Sequence, residues 1–161
     1  MRERKGMAQR SIVFILPALP VLLGGCLAIE APEDFVVLDR GSRDLRAVTP
    51  DEARLRVRDF RNPEGGDLAF WSKVLKKDFV EGRGYALIDE RKVADNMGRE
   101  GEEFLFAVDG KKGAYRYLVR ISLVKGTLRR KFIRVAEFAA PPDVFVRHEE
   151  NVRTAFNTIR P

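Results

Sequence analysis

"AYRYLVRISLV", residues Ala114 to Val124, alternates in a way that decides the fold. Successive side chains of a strand point to opposite faces, so Tyr115, Tyr117, Val119, Ile121 and Leu123 share one wholly apolar face. The other face mixes Arg116 and Arg120 with Leu118 and Val124. Such a strand belongs in a sheet that is covered on one side and partly covered on the other. On either side of it, "DGKKG" and "KGT" are short enough for hairpins. They lead to "EFLFAV" (Glu103 to Val108) and "RKFIRVAEF" (Arg130 to Phe138), which are expected to pair antiparallel with it. "YALIDERKVA" (Tyr85 to Ala94) adds a further strand.

Further upstream the same signal recurs in shorter runs. "DFVVLDR" and "DLRAVT" read as strands about a Gly41-Ser42 turn, and "ARLRVRDF" alternates from Ala53. Ala53, Leu55 and Val57 face one way, and Arg54, Arg56 and Arg58 face the other. "NPEGG" (Asn62 to Gly66) ends this block as a turn. Asp67 then stands as the N-cap of a helix running to about Glu81, with Leu68, Trp71, Leu75 and Phe79 on one stripe and Gly82 and Gly84 to stop it. The chain closes on "APPDVFVRHEENVRTAFNTI", where paired prolines and Asp143 announce a helix with Phe145, Val152, Phe156 and Ile159 in register. Strands gathered between two amphipathic helices predict an α+β domain, an antiparallel sheet flanked by helices.

The first 26 residues obey different rules. Arg2, Arg4, Lys5 and Arg10 stand against one acid, Glu3, and no charge follows from Ser11 to Gly25. This is a basic region followed by an apolar one, as in an export signal, whether translation starts at Met1 or Met7. The apolar run is shorter than the ~20 residues a membrane-spanning helix needs and is broken by Pro17 and Pro20. Residues 1–25 are therefore expected to be removed. Their loss takes four of the 30 basic groups and one of the 24 acids, so the net charge falls from +6 to +3. The remaining chain is nearly balanced, which gives no argument for nucleic acid as a partner, and is long enough for one self-sufficient core.

Leu23, Gly24, Gly25 and Cys26 closely resemble the bacterial lipobox. The resemblance implies a diacylglyceryl thioether on Cys26, cleavage just before it by a dedicated peptidase that recognises the three preceding residues, and acylation of the new amino terminus. Several acyl chains hold a protein on a membrane far more firmly than one, at about 0.8 kcal/mol per buried methylene. Cys26 is the only cysteine, so a disulfide within the chain has no second half. Leu27 follows it where lipoproteins kept at the inner membrane often carry Asp, which by resemblance points to the outer membrane, facing the periplasm. Residues 26–34, with three acids and a proline after the cysteine, are expected to form the lipidated residue and its tether, and residues 35–161 the single domain.

From Phe35 to Ile159 the order of elements resembles the PsbP-like and Mog-like superfamily: an early strand group, the helix with Trp71, a long meander, and a terminal helix after "FAAPP". That resemblance implies an α/β/α sandwich, many of whose bacterial members are lipoproteins, serving binding or assembly without shared catalytic residues. The "DLRAVT" segment, an extra strand or a loop, departs from its pattern.

The chemistry-bearing residues agree with a non-catalytic part. His148 is the only histidine, expected partly exposed beside Glu149, and a zinc helix would need a second histidine where Val152 stands. No cofactor or metal set emerges, and no nucleophile and base pair of the usual kind. Asp89 with Glu90, or Glu102 with Glu103, would be the carboxylates of the alternative, an envelope-polymer hydrolase or transferase. The row Arg54, Arg56 and Arg58 is the candidate contact for anionic ligands, set against a solvated face paired with acids on the next strand. Trp71 is expected in the core. The function expected is that of a membrane-anchored envelope lipoprotein that binds or positions an envelope protein partner.

Overall fold

The structure is a computed structural model that describes residues 27–110, 113–126 and 130–160. Cys26 and the three residues before it lie outside this range. Seven antiparallel strands form one sheet in the order β1-β2-β3-β7-β6-β5-β4. They are β1 (Val36–Arg40), β2 (Asp44–Val48), β3 (Arg54–Arg61), β4 (Ala86–Ala94), β5 (Glu100–Gly110), β6 (Gly113–Lys125) and β7 (Lys131–Ala140). The helices are α1 (Leu68–Lys77) and α2 (Pro142–Phe156). Two meanders, β1-β2-β3 and β4 to β7, meet where β3 pairs with β7 across the centre, Val57 opposite Ala136.

The alternation read in β6 sorts its residues into two layers. Val119 and Ile121 pack with Phe104, Phe106, Ile133, Val135 and the α1 stripe of Leu68, Trp71 and Leu75. Leu118, one residue away, packs with Leu55, Phe138 and α2 residues Phe145, Val152 and Phe156. One helix thus covers each face, α1 over β5 and β6 and α2 over β6 and β7. Asp67 caps α1 by accepting from the Phe70 N–H at 2.8 Å. The helix ends short of Glu81 in a π-helical turn, Asp78–Gly82, and Gly84 (φ +72°) takes the left-handed conformation that turns the chain into β4.

The mixed face of β6 is covered more fully than the alternation suggests. Arg120 is buried beneath α2, its guanidinium donating to Glu103 from Nε at 2.7 Å and to Asn157 Oδ1 at 2.6 Å. Glu103, 1% exposed, also accepts from Arg91 at 3.0 Å and from Arg153 of α2. Both carboxylate oxygens are taken up by guanidinium groups, so the charge is buried with its partners.

Two expectations need correction here. Leu27 to Asp34 is not a free tether. Leu27 is 0% exposed and Ile29 8%, both inside the α2-side core, with Ala31 packed against them. The Leu27 N–H donates to the Gly41 carbonyl at 3.1 Å, and Ala28 and Arg160 exchange a pair of backbone hydrogen bonds. Among the described residues the folded body therefore starts at Leu27. His148 is likewise not partly exposed: at 6% it lies 3.2 Å from Asp51 Oδ2, with the Phe35 ring edge-on at 5.5 Å. Three residues after Phe145 and four before Val152, it belongs to the buried stripe of α2. Asp51 accepts from the Thr49 hydroxyl as well as facing His148, and these contacts, the first foremost, hold its carboxyl below the usual range.

Candidate functional site

The helix α1 leaves part of its own face of the sheet open. It sits over β5 and β6, while β3 and the near side of β7 stay uncovered, and a groove of about 510 Å³ opens along the helix. Its floor is Ile121, Ile133 and Val135, and Leu75 and Phe79 form the helix wall. Trp71 and Phe60 stand on the rim, Phe60 43% exposed. Trp71 is half-buried rather than enclosed in the core, and its indole N–H donates to Asn62 Oδ1 at 3.2 Å. Asn62, itself buried, also binds both polar backbone groups of Gly66, so the "NPEGG" turn fixes the position of the indole.

Cations meet the apolar lining at Arg58, Arg61 and Arg83. Arg58 donates to Glu137 Oε2 at 3.0 Å, and Tyr117 donates to the other oxygen at 2.6 Å. Burial, and next the charge of Glu137, push the Tyr117 hydroxyl well above the ordinary phenol range, so it stays a donor. Arg58 Nε is buried without a hydrogen-bond partner among the described residues. The side chain is 33% exposed, so it is the open remainder of the guanidinium, with one charge-assisted contact already made to Glu137, that is suited to receive an anionic group. Arg83 lies 4.4 Å above the Phe79 ring and pairs with Asp78 at 2.7 Å.

The arginine row of β3 is split by its surroundings. Arg56 is tied to Asp44 by contacts of 3.1 and 2.5 Å, and that hydrogen bond above all holds the Asp44 carboxyl below its usual range. Arg58 turns toward Glu137 and the groove, and Arg54 lies exposed at the far end of the strand. The row is therefore three different environments rather than one line of free charge. Phe60, Arg83 and Glu137 were missed by the sequence reading. Glu137 carried a signal, a lone acid on the apolar side of "FIRVAEF".

The candidate carboxylates do not converge. Glu102 and Glu103 are consecutive on β5 and point to opposite faces, with Glu103 enclosed by guanidiniums. Asp89 and Glu90 alternate on β4 after the bulge at Ile88, and Glu90 pairs with Lys76. Among the described residues no helix is long and apolar enough to cross a membrane.

A seven-stranded antiparallel sheet with one helix on each face is an α+β domain of Mog-like and PsbP-like architecture. Among solved structures, LpqN of Mycobacterium tuberculosis, described as involved in cell envelope biogenesis, matches with TM-score 0.61 and 14% identity, over 84% of this chain and 83% of LpqN. PA94 of Pseudomonas aeruginosa, of unknown function and a putative regulator, matches at 0.57 and 12%, over 85% and 98%. The Saccharomyces cerevisiae Ran-binding protein Mog1p matches at 0.53 and 14%, over 86% and 92%. At these identities the likeness is one of fold. No protein-family model matches the chain, and no curated protein matches it.

Proposed function

We propose that this chain is a bacterial envelope lipoprotein, acylated on Cys26, whose folded body is a non-catalytic binding or assembly module. Its binding site is the groove beside α1, and its ligand offers an apolar surface with an anionic group for Arg58. The observation that carries this is the groove itself, an apolar floor with the part-exposed Arg58 guanidinium at one side. The lipobox-like LGGC stretch supports the anchor, and the involvement of LpqN, a domain of the same fold, in cell envelope biogenesis supports the setting. Paired carboxylates on opposite strand faces support a role without hydrolysis. A partner protein of the envelope that presents an acidic residue beside apolar ones is the ligand this chemistry favours, and the outer membrane, facing the periplasm, is the proposed location.

Trp71 is the only tryptophan, so its emission reports on the groove directly. Two naphthalene probes differing in one group test the site: 1-anilinonaphthalene-8-sulfonate, with an anionic group, and N-phenyl-1-naphthylamine, without one. Both are expected to quench Trp71. Arg58→Gln should weaken the sulfonate about tenfold or more, the effect of losing a hydrogen bond to a charged group, and leave the neutral probe unchanged. Equal weakening of both probes, or of neither, contradicts the site.

A further inference from the structure

Among the described residues the fold begins at Leu27, whose N–H is bonded to the carbonyl of Gly41 in the turn between β1 and β2. That turn lies at one end of the sheet, where β3 finishes and β7 begins. Five of the exposed cations there run from β1 to β7: Arg40 and Arg43 on either side of the turn, Arg61 at the end of β3, and Arg130 and Lys131 at the start of β7. Backbone hydrogen bonds hold the three strand ends together, Asp59 N–H to Arg43 and Asn62 N–H to Lys131, at 2.9 and 3.0 Å. With neighbouring strands about 4.8 Å apart, the row from β1 to β7 spans about 14 Å.

None of the five makes an ion pair among the described residues; Arg43 instead lies 5.5 Å from the Phe132 ring. The acids nearby leave the row positive. Asp44 is held by Arg56, and Asp59 by the buried Arg134. Asp39 and Glu64 are the exposed acids beside the row. Arg61, Arg130 and Lys131 share an open concavity of about 450 Å³ with Asn62, Pro63 and Phe132, and among the described residues no carboxylate lines it.

We infer that this end of the sheet is a membrane-contact surface that seats the body on anionic phospholipid headgroups. The inference rests on acylation of Cys26. With no free tether, the acylated residue is one Cα step, about 3.8 Å, from a core leucine bonded between Arg40 and Arg43. Cations at that end then fall within the screening length of about 8 Å from the headgroups. The anchor attaches the body, and the basic row fixes which end faces the bilayer, with Arg61 at the border between that end and the α1 groove.

The test separates the surface from the anchor. A chain beginning at residue 26 with Cys26→Ser keeps every core residue named above and carries no lipid. It is expected to bind phosphatidylcholine vesicles containing phosphatidylglycerol, to release them at high salt, and not to bind phosphatidylcholine alone. The triple variant Arg61→Gln/Arg130→Gln/Lys131→Gln should weaken that binding about a hundredfold, near fivefold for each cation lost. Arg54→Gln/Lys73→Gln/Lys77→Gln removes equal charge elsewhere and should weaken it by about threefold at most. Equal losses in the two triples, with melting curves unchanged, or no preference of the parent chain for phosphatidylglycerol, overturn the inference. The state of Cys26 in the native host is read separately by mass, so failure of the surface and failure of the anchor remain distinguishable.

Discussion

Replacing Arg134 by methionine is expected to destabilise the fold by about 3–5 kcal/mol, the cost of breaking a buried ion pair from one side. Arg134 and Asp59 face each other across β3 and β7, with side chains 3% and 9% exposed. Two parallel contacts of 2.8 Å join the guanidinium to the carboxylate, and Nη1 donates to the Ile159 carbonyl where the chain leaves α2. Methionine fills similar space but leaves the Asp59 carboxylate in the interior without its partner. Converting both, Arg134→Met with Asp59→Leu, should recover much of the loss, because the desolvated charge goes with the cation. Denaturant unfolding of the two variants measures both effects. A single variant within about 1 kcal/mol of the parent would mean that water reaches the pair.

Leu27→Ala is expected to cost about 2–5 kcal/mol, the range for truncating a fully buried leucine. The position matters more than the number. Leu27 is the residue next to the proposed lipid attachment, and a tether there would tolerate alanine with almost no effect. In the structure it is enclosed by the α2-side core and held by its bond to Gly41. Equilibrium unfolding of a chain beginning at residue 26 gives the comparison. A loss below about 0.5 kcal/mol would return residues 27–34 to a free linker and remove the argument that the anchor and the sheet end are joined rigidly.

Much of the architecture is legible in local periodicity. The strict alternation of β6 sorts correctly into two layers because each face of the sheet meets its own helix. The stripe of Leu68, Trp71 and Leu75 marks the sheet-facing side of α1 for the same reason, 3.6-residue repetition against an apolar floor, and Phe79 continues it in the π-helical turn. What the sequence hides is non-local. Nothing in "ARLRVRDF" says that it lies beside "RKFIRVAEF", since Val57 meets Ala136 from the far side of α1 and the second meander in sequence. The helix boundary at Asp78 was also invisible, because a π-helical turn keeps the apolar contact of Phe79 while changing the hydrogen bonds.

Two signals were present in the letters. "LAIEA" alternates Leu27, Ile29 and Ala31, the three residues that dock, but its acids and the following proline suggested a solvated segment. His148 keeps the spacing of the α2 stripe between Phe145 and Val152, a place that its polarity masks. At the groove, Arg58 and Trp71 were both identified as residues of interest, one for charge and one for packing. Their convergence with Phe60 and Glu137 depends on β3 lying against β7, which is why the sequence yields a row of arginines rather than a site.

The proposal that this body works at a membrane surface is tested most directly by the mass of the amino-terminal peptide of the protein isolated from its native host. The account predicts a peptide that begins at Cys26 and carries a diacylglyceryl group on the sulfur, recovered from the membrane fraction. A peptide with an unmodified Cys26 thiol, or one that still contains residues 1–25 in a soluble fraction, contradicts it.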